Sequence, residues 1–243
     1  MQPGQFAIVT EQISRTFNGV YAVKDLDLAI PPGELFVFLG PNAAGKSTTL
    51  RLLSCLLYPT SGRAQVWGFD VPEDALKIKE ITGYLPEWPQ LYDKLTGREF
   101  LSFVADLRKM DAQRRARIDY FLNLFDIATQ ADDLIESYSR GMRQRIAISA
   151  ALLHDPKIAF LDEPTNGLDP KAARIVKDLL RDMCDRGGAV LMTTHLLDVA
   201  EKMCDRVGII KDAQLIAVGK LDALRNQTQR GGSLEDIFLE LTT

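Results

Sequence analysis

Nine consecutive residues, Gly40, Pro41, Asn42, Ala43, Ala44, Gly45, Lys46, Ser47 and Thr48, have the types and spacing to hold a chain of phosphates. They fit the pattern Gly-x-x-x-x-Gly-Lys-Ser/Thr. They follow the apolar run Leu35–Leu39 and precede the helix-like stretch Thr48–Leu53, the strand, loop and helix order that a phosphate-binding loop requires. Backbone N–H groups and the positive end of the helix dipole then converge on the phosphates. Lys46 adds a mobile cation, and the Ser47 hydroxyl can ligate Mg2+. Ala43 stands where the more permissive glycine is common. It keeps its N–H, so nucleotide binding is expected to survive unless the position demands a positive φ.

A second apolar run, Ile158–Leu161, ends in Asp162-Glu163-Pro164 and delivers two carboxylates to the end of a buried strand, where open α/β sheets bind ligands. Asp162 can hold the shell of a Mg2+ ion, while Glu163, pointing elsewhere, can orient or deprotonate an attacking water. The alternative is an ordinary acidic strand-to-turn pair, which is weak beside a phosphate loop. His195 closes a third apolar run, Val190–Thr194, and can donate a hydrogen bond to a terminal phosphate. His154, before Asp155-Pro156, reads as a structural histidine.

These groups need strands that end at one edge. The opening segment reads as strands at Phe6–Val9 and Leu26–Ile30, with a turn at Pro31-Pro32-Gly33, which suits an antiparallel edge on a mixed sheet. From Thr96 to about Thr129 the period becomes helical. Phe100, Phe103, Val104 and Leu107 share one face, and Ile118, Phe121, Leu122 and Phe125 another, as expected of an inserted helical lobe. After Met142 the order is helix to Leu153, strand Lys157–Leu161, helix after Pro170 and strand Ala189–Thr193, which points to parallel strands covered by helices on both faces. A hairpin-like pair, Arg206–Ile210 and Gln214–Val218, precedes two short helices, the last opening at the capping pattern Ser233-Leu234-Glu235-Asp236. The fold class is therefore α/β, with a mainly parallel sheet, an antiparallel β edge and a helical insertion. One domain spans residues 1–243, divided into a core of 1–95 and 138–220, a lobe of 96–137 and a tail of 221–243.

Composition agrees with a folded chain. The chain has 243 residues, 46% of them hydrophobic, enough for a large core. A net charge of −4 argues against a broad cationic face, so no nucleic acid partner is expected. Arg114, Arg115 and Arg117 are read as a solvated helix face. Cys55, Cys184 and Cys204 lack metal-site spacing and are read as reduced thiols of a cytosolic protein. The start lacks the pattern of a signal peptide, and no apolar run approaches the roughly 18 residues of a membrane span, so a membrane role calls for a separate chain.

Taken in order, these segments resemble the ATP-binding subunit of an ABC transporter along essentially the whole chain. Residues 40–48 resemble Walker A, and Phe160-Leu161-Asp162-Glu163 resembles Walker B. Ser139-Arg140-Gly141-Met142-Arg143-Gln144 is similar to the family's signature loop in a Ser-x-Gly-Met form, Asn166-Gly167-Leu168-Asp169 to its D-loop, and His195 to its switch histidine. The resemblance implies ATP and Mg2+ as ligands, and two copies closed head to tail. Each ATP would lie between one phosphate loop and the partner's Ser139, Arg140, Gly141 and Met142. Such a subunit sits on the inner face of the cell membrane through a permease that it drives. Phe17 falls where the family stacks an aromatic on adenine, with a core phenylalanine and Tyr21 as the competing readings.

One departure stands out, because Tyr84-Leu85-Pro86-Glu87 carries an acid where the family's Q-loop has glutamine. With Ser47 and Asp162, Glu87 is a candidate Mg2+ contact, and its charge beside a γ-phosphate costs energy unless the metal is present. Trp88, Leu91 and Tyr92 form an apolar cluster that is either buried under the lobe or part of a groove for a permease helix. The C-terminal segment resembles bacterial exporters of drugs, antibiotics, lipids or polysaccharides. The competing class is a non-transport ATPase of the same family, in DNA repair, on the ribosome or in assembly, which a coiled-coil insertion, a tandem cassette or a basic face would favour. No guanine-reading Asn-Lys-x-Asp motif is present.

Overall fold

The computed structural model describes residues 6–111 and 114–227. The chain opens with three strands, β1 (Ile8–Phe17), β2 (Val20–Ile30) and β3 (Leu35–Leu39), followed by α1 (Lys46–Leu53), β4 (Ser61–Val66), β5 (Phe69–Val71), α2 (Ala75–Ile81) and β6 (Thr82–Leu85). The helices α3 (Gly97–Leu107), α4 (Arg114–Leu124) and α5 (Arg140–Leu152) come next, with two 3-10 turns between α4 and α5. The remainder alternates: β7 (Ile158–Asp162), α6 (Pro170–Asp185), β8 (Ala189–Thr194), α7 (Leu197–Met203), β9 (Arg206–Lys211), β10 (Gln214–Gly219) and α8 (Leu221–Gln227).

Six strands form the central sheet in the order β10-β9-β3-β8-β7-β6, parallel except for the β9–β10 edge. All five residues of β3 are buried because both faces are covered, which is why the sequence there is a continuous apolar run rather than an alternation. The period of two is still visible in what each residue touches. Leu35, Val37 and Leu39 join the core formed with α3 to α7, while Phe36 and Phe38 join the core formed with α1 and the opening strands.

The opening strands do not extend the edge of the central sheet. With β4 and β5 they form a separate antiparallel sheet, β2-β1-β4-β5, and the antiparallel edge of the central sheet is β10 instead. β1 also starts later than expected and runs on to Phe17, because it pairs with β2 on one side and β4 on the other.

The helices of the insertion begin where local chemistry says they should. Thr96 caps α3 by accepting from the Glu99 N–H, and the Glu99 carboxylate accepts from the Thr96 N–H, a reciprocal box. Its buried face differs from the expected one. Phe100, Leu101 and Ala105 are buried, whereas Phe103 is 39% and Leu107 66% exposed. The apolar stripe of α3 is wider than its contact with its neighbours, so packing selects a subset. On α4, Ile118, Phe121 and Leu122 are buried as expected, together with Phe125 just after it. The helix expected at Ser233 lies outside the described residues. The three cysteines are free, and burial raises the Cys184 thiol to about 11 and the Cys204 thiol to about 12. Among the described residues no helix is long and apolar enough to cross a membrane.

Candidate active site

Parallel pairing brings the chemistry to one edge. Leu39 of β3 lies beside Thr194 of β8, Thr193 lies beside Asp162 of β7, and Leu161 lies beside Leu85 of β6. The residues that follow these strand ends, Gly40, His195, Glu163 and Glu87, are therefore neighbours although they are spread over 156 positions, 195 − 40 + 1. A cleft of about 500 Å3 opens there, lined by residues 42–48, Phe17, Ala22, Glu87, Asp162 and Glu163.

The loop's shape depends on two glycines. A Cβ at Gly40 would sit 2.3 Å from the Ile210 carbonyl oxygen, and one at Gly45 would sit 2.3 Å from that of Ala22. Gly45 also has φ 108, open to glycine and strained for other residues. Ala43 adopts φ 63. The condition under which its methyl was expected to matter is met, and the left-handed backbone costs about 1 kcal/mol in a non-glycine residue. Lys46 turns back over the loop, its Nζ donating to the carbonyls of Gly40 at 2.7 Å and Pro41 at 3.0 Å. Burial lowers its pKa, opposed by the charges of Glu163, Asp162 and Glu87.

The acids are organised by threonines that sequence reading missed. Thr193 Oγ1 donates to Asp162 Oδ1 at 2.5 Å and accepts from the Glu163 N–H at 3.1 Å, so one hydroxyl ties the Asp162 carboxylate to the Glu163 backbone. Thr194 Oγ1 donates to Glu163 Oε2 at 3.3 Å. Their only signal in the sequence is two hydroxyls at the end of an otherwise apolar strand. Glu163 has φ 50, in the left-handed region that is sparsely populated for residues other than glycine. Its Oε1 lies 2.8 Å from His195 Nδ1. An ionised carboxylate only accepts, so Nδ1 carries a proton and donates; Nε2 could donate to a phosphate oxygen only from the doubly protonated ring.

Asp162 Oδ2 is buried and has no protein partner. An orphaned carboxylate oxygen across a cleft from the Ser47 hydroxyl suits a hard cation with oxygen ligands. No group of three or more acidic, histidine or cysteine side chains among the described residues could hold a metal by itself. Such a donor set fits Mg2+, which takes one or two protein oxygens and completes its shell with phosphate and water.

Phe17 is 43% exposed at the rim of the cleft, with the Arg15 guanidinium 4.5 Å from its ring centre. The reading of Phe17 as a core residue is thereby excluded. Tyr21 is not among the residues lining the cleft. The cluster after Glu87 is split: Leu91 packs on the core, while Trp88 and Tyr92 are 63% and 57% exposed.

Ser139, Arg140, Gly141 and Met142 are absent from the lining of that cleft. They form the start of α5, where Ser139 Oγ accepts from the Met142 N–H at 3.2 Å. Asp169 caps α6 by accepting from the Ala172 N–H at 2.9 Å and pairs with Arg145. The Ala172 hydrogen bond, then Arg145, hold its carboxyl below the usual range. Gln144, also missed, is buried and donates to the Pro164 carbonyl at 3.0 Å, tying α5 to the loop after Glu163. His154 is structural: its Nε2 lies 3.1 Å from the Thr82 carbonyl oxygen, and burial pushes its pKa down to about 4.

A family model described as ABC transporter matches residues 23–166, a span that holds the phosphate loop, Glu87, the start of α5 and both acids. The chain belongs to the ABC transporter family. As an ABC cassette it binds and hydrolyses ATP and powers transport. It is 37% identical to a daunorubicin resistance ATP-binding protein, DrrA3, of Streptomyces coeruleorubidus, over 96% of this chain and 73% of that one. It is 40% identical to a fluoroquinolones export ATP-binding protein of Mycobacterium tuberculosis, over 81% and 64% respectively. Among solved structures, an ATP-binding subunit of an ABC transporter superposes with a TM-score of 0.91 at 29% identity, covering 98% of this chain and 100% of that one. A dimeric ABC cassette in a post-hydrolysis state bound to ADP and Pi superposes with a TM-score of 0.80 at 27% identity, covering 88% and 98%.

Proposed function

We propose that this cassette works as one of a closed pair, each copy completing the other's ATP site, and that it drives a membrane-embedded permease exporting drug-like or related amphipathic compounds. The observation that carries the catalytic part is that Thr193 ties the Asp162 carboxylate to the Glu163 main-chain N–H while His195 contacts the Glu163 carboxylate, at the sheet edge that also bears Lys46.

In this reading the N–H groups of residues 42–48 bind the β- and γ-phosphates, and Lys46 exchanges its two loop carbonyls for phosphate oxygens. Phe17 stacks on the adenine. Ser47, Glu87 and Asp162 hold Mg2+ together with the phosphates, and the ion supplies charge neutralisation as the γ-phosphoryl leaves. Glu163 takes the proton of the attacking water, and His195 holds that carboxylate in place through Nδ1–H. Ser139 through Met142 present the N-terminus of α5 to the partner's ATP. ATP then acts as a joint between two copies, and its hydrolysis loosens that joint.

Export is supported by the drug-resistance and export functions that the relatives' names print. A surface for the permease is supported by the exposed apolar side chains of Tyr92, Phe103 and Leu107. Such a complex places the cassette on the cytoplasmic face of the membrane.

Chromatography with Mg-ATP tests the pairing. Glu163→Gln is expected to elute as a dimer that retains ATP, and Lys46→Ala as a monomer without it. A Glu163→Gln protein that stays monomeric at saturating ATP would remove the paired site. Co-purification of a polytopic partner from membranes tests the permease.

A further inference from the structure

Arg140 is the first residue of α5 after its cap, Ser139. A cation there faces the positive end of the helix dipole and is disfavoured unless something else receives it. Its guanidinium lies over the Trp88 ring, 5.4 Å from the centre. The stem of the same side chain lies against Gly167: a Cβ on Gly167 would come within 3.0 Å of Arg140 Nε and 3.3 Å of its Cδ. Gly167 has φ 76, a backbone conformation that favours glycine, and a Cβ there would press on the Arg140 side chain, which would have to give by a few tenths of an ångström. A Cβ on Gly141 would likewise come within 3.2 Å of the Gly167 carbonyl oxygen.

Each contact belongs to a different part of the site. Trp88 follows Glu87, which lines the cleft, and Gly167 lies between Glu163 and Asp169. A second tie, from Arg143 Nη1 to Asp93 at 2.7 Å, joins α5 to the same loop further along. A shift of the Glu87 loop therefore changes the seat of the Arg140 guanidinium, and a shift of Arg140 changes the wall against Gly167.

We infer that Arg140 and Trp88 are a pair of positioning residues: their stack passes the occupancy of the cleft at Glu87 to the start of α5 and to the Asn166–Asp169 loop. The inference rests on the proposed role of Glu87 in holding metal and phosphate. Neither side chain lines the chain's own cleft. The stack keeps the part of α5 meant for the partner's ATP in register with the state of the chain's own site.

Tryptophan emission tests it, because the chain has only two tryptophans and the other, Trp67, lies in the β4–β5 turn, away from the cleft lining. The full chain carrying Trp67→Phe is titrated with Mg2+ and a non-hydrolysable ATP analogue at protein concentrations where chromatography shows a monomer. Bound nucleotide is measured on the same samples by equilibrium dialysis. Trp88 emission is expected to shift on binding, Arg140→Gly to abolish the shift, and Arg140→Lys, which keeps a cation for the ring, to retain part of it. In the full chain, Trp88→Ala is expected to lower kcat about fivefold with KM changed less than about twofold, and Trp88→Phe to restore it. Bound nucleotide with no shift, or a shift of equal size in Arg140→Gly, overturns the coupling alone. Absence of binding overturns the nucleotide-site reading and the coupling together.

Discussion

His195 Nδ1 and Glu163 Oε1 are 2.8 Å apart, so the acid that we propose as the general base is tied directly to a neighbouring histidine. The backbone of Glu163, at φ 50, is turned so that this contact and the Thr194 hydrogen bond can be made at once. The left-handed backbone at Glu163 is sparsely populated for a non-glycine residue, and the His195 and Thr194 contacts hold the side chain that it carries.

Glu163→Gln keeps a hydrogen bond to His195 and loses the ability to accept a proton. Turnover is expected to fall by about 100-fold or more, the range of general-base catalysis, with ATP binding retained. Single-turnover assays measure it, and unchanged hydrolysis would take the base role from Glu163. His195→Ala leaves the carboxylate in place without its orienting partner, and the loss is expected in kcat rather than in KM.

Ala43 sits in the left-handed region inside the phosphate loop. Ala43→Gly is expected to stabilise the chain by up to about 1 kcal/mol, which for a domain of this size raises Tm by about 2–4 °C. Thermal unfolding without nucleotide measures it, and a lower Tm would show that the strain is relieved in some other way.

Glu87 adds a third negative side chain to the cleft that holds Asp162 and Glu163. Removing Mg2+ should therefore weaken ATP binding more in the native chain than in Glu87→Gln, which lacks the repulsion with the γ-phosphate. Titrations of ATP at several Mg2+ concentrations decide it, and superimposable curves for the two proteins would refute it.

His154 is neutral in the fold down to about pH 4, while an unfolded histidine titrates near 6.5. Between those values the unfolded chain binds more protons, so this contribution to stability is complete above pH 6.5 and is lost as pH falls toward 4. The loss amounts to at most about 2 kcal/mol between pH 7.5 and pH 5. Urea unfolding at the two pH values should show a smaller difference in His154→Gln than in the native chain.

Phe17 is the ring at the rim of the cleft, and Tyr21 is outside its lining. Phe17→Ala is expected to weaken ATP binding about tenfold, in line with stacking energies between bases and aromatic side chains. Tyr21→Ala should leave it unchanged. The reverse order would transfer the adenine contact to Tyr21.

Local chemistry made much of this legible in the residues alone. The phosphate loop depends on glycines, a lysine and a hydroxyl at set spacing between a strand and a helix, and β3, Gly45 and α1 carry it as read. The acids at the end of β7 follow from an apolar run that stops at Asp162. What lay beyond the sequence involves groups far apart in it. The opening strands form their own sheet because β1 finds β4 as its second partner. Thr193 ties the Asp162 carboxylate to the Glu163 backbone because β8 pairs beside β7, a register that no local pattern announces. Arg140 meets Trp88 and Gly167 only after three separate loops have been brought together. Residue types and spacing decided which groups this protein has for handling ATP. Long-range strand pairing and packing decided which of them touch, because contact across a sheet edge depends on register and on burial shared between elements that are distant along the chain.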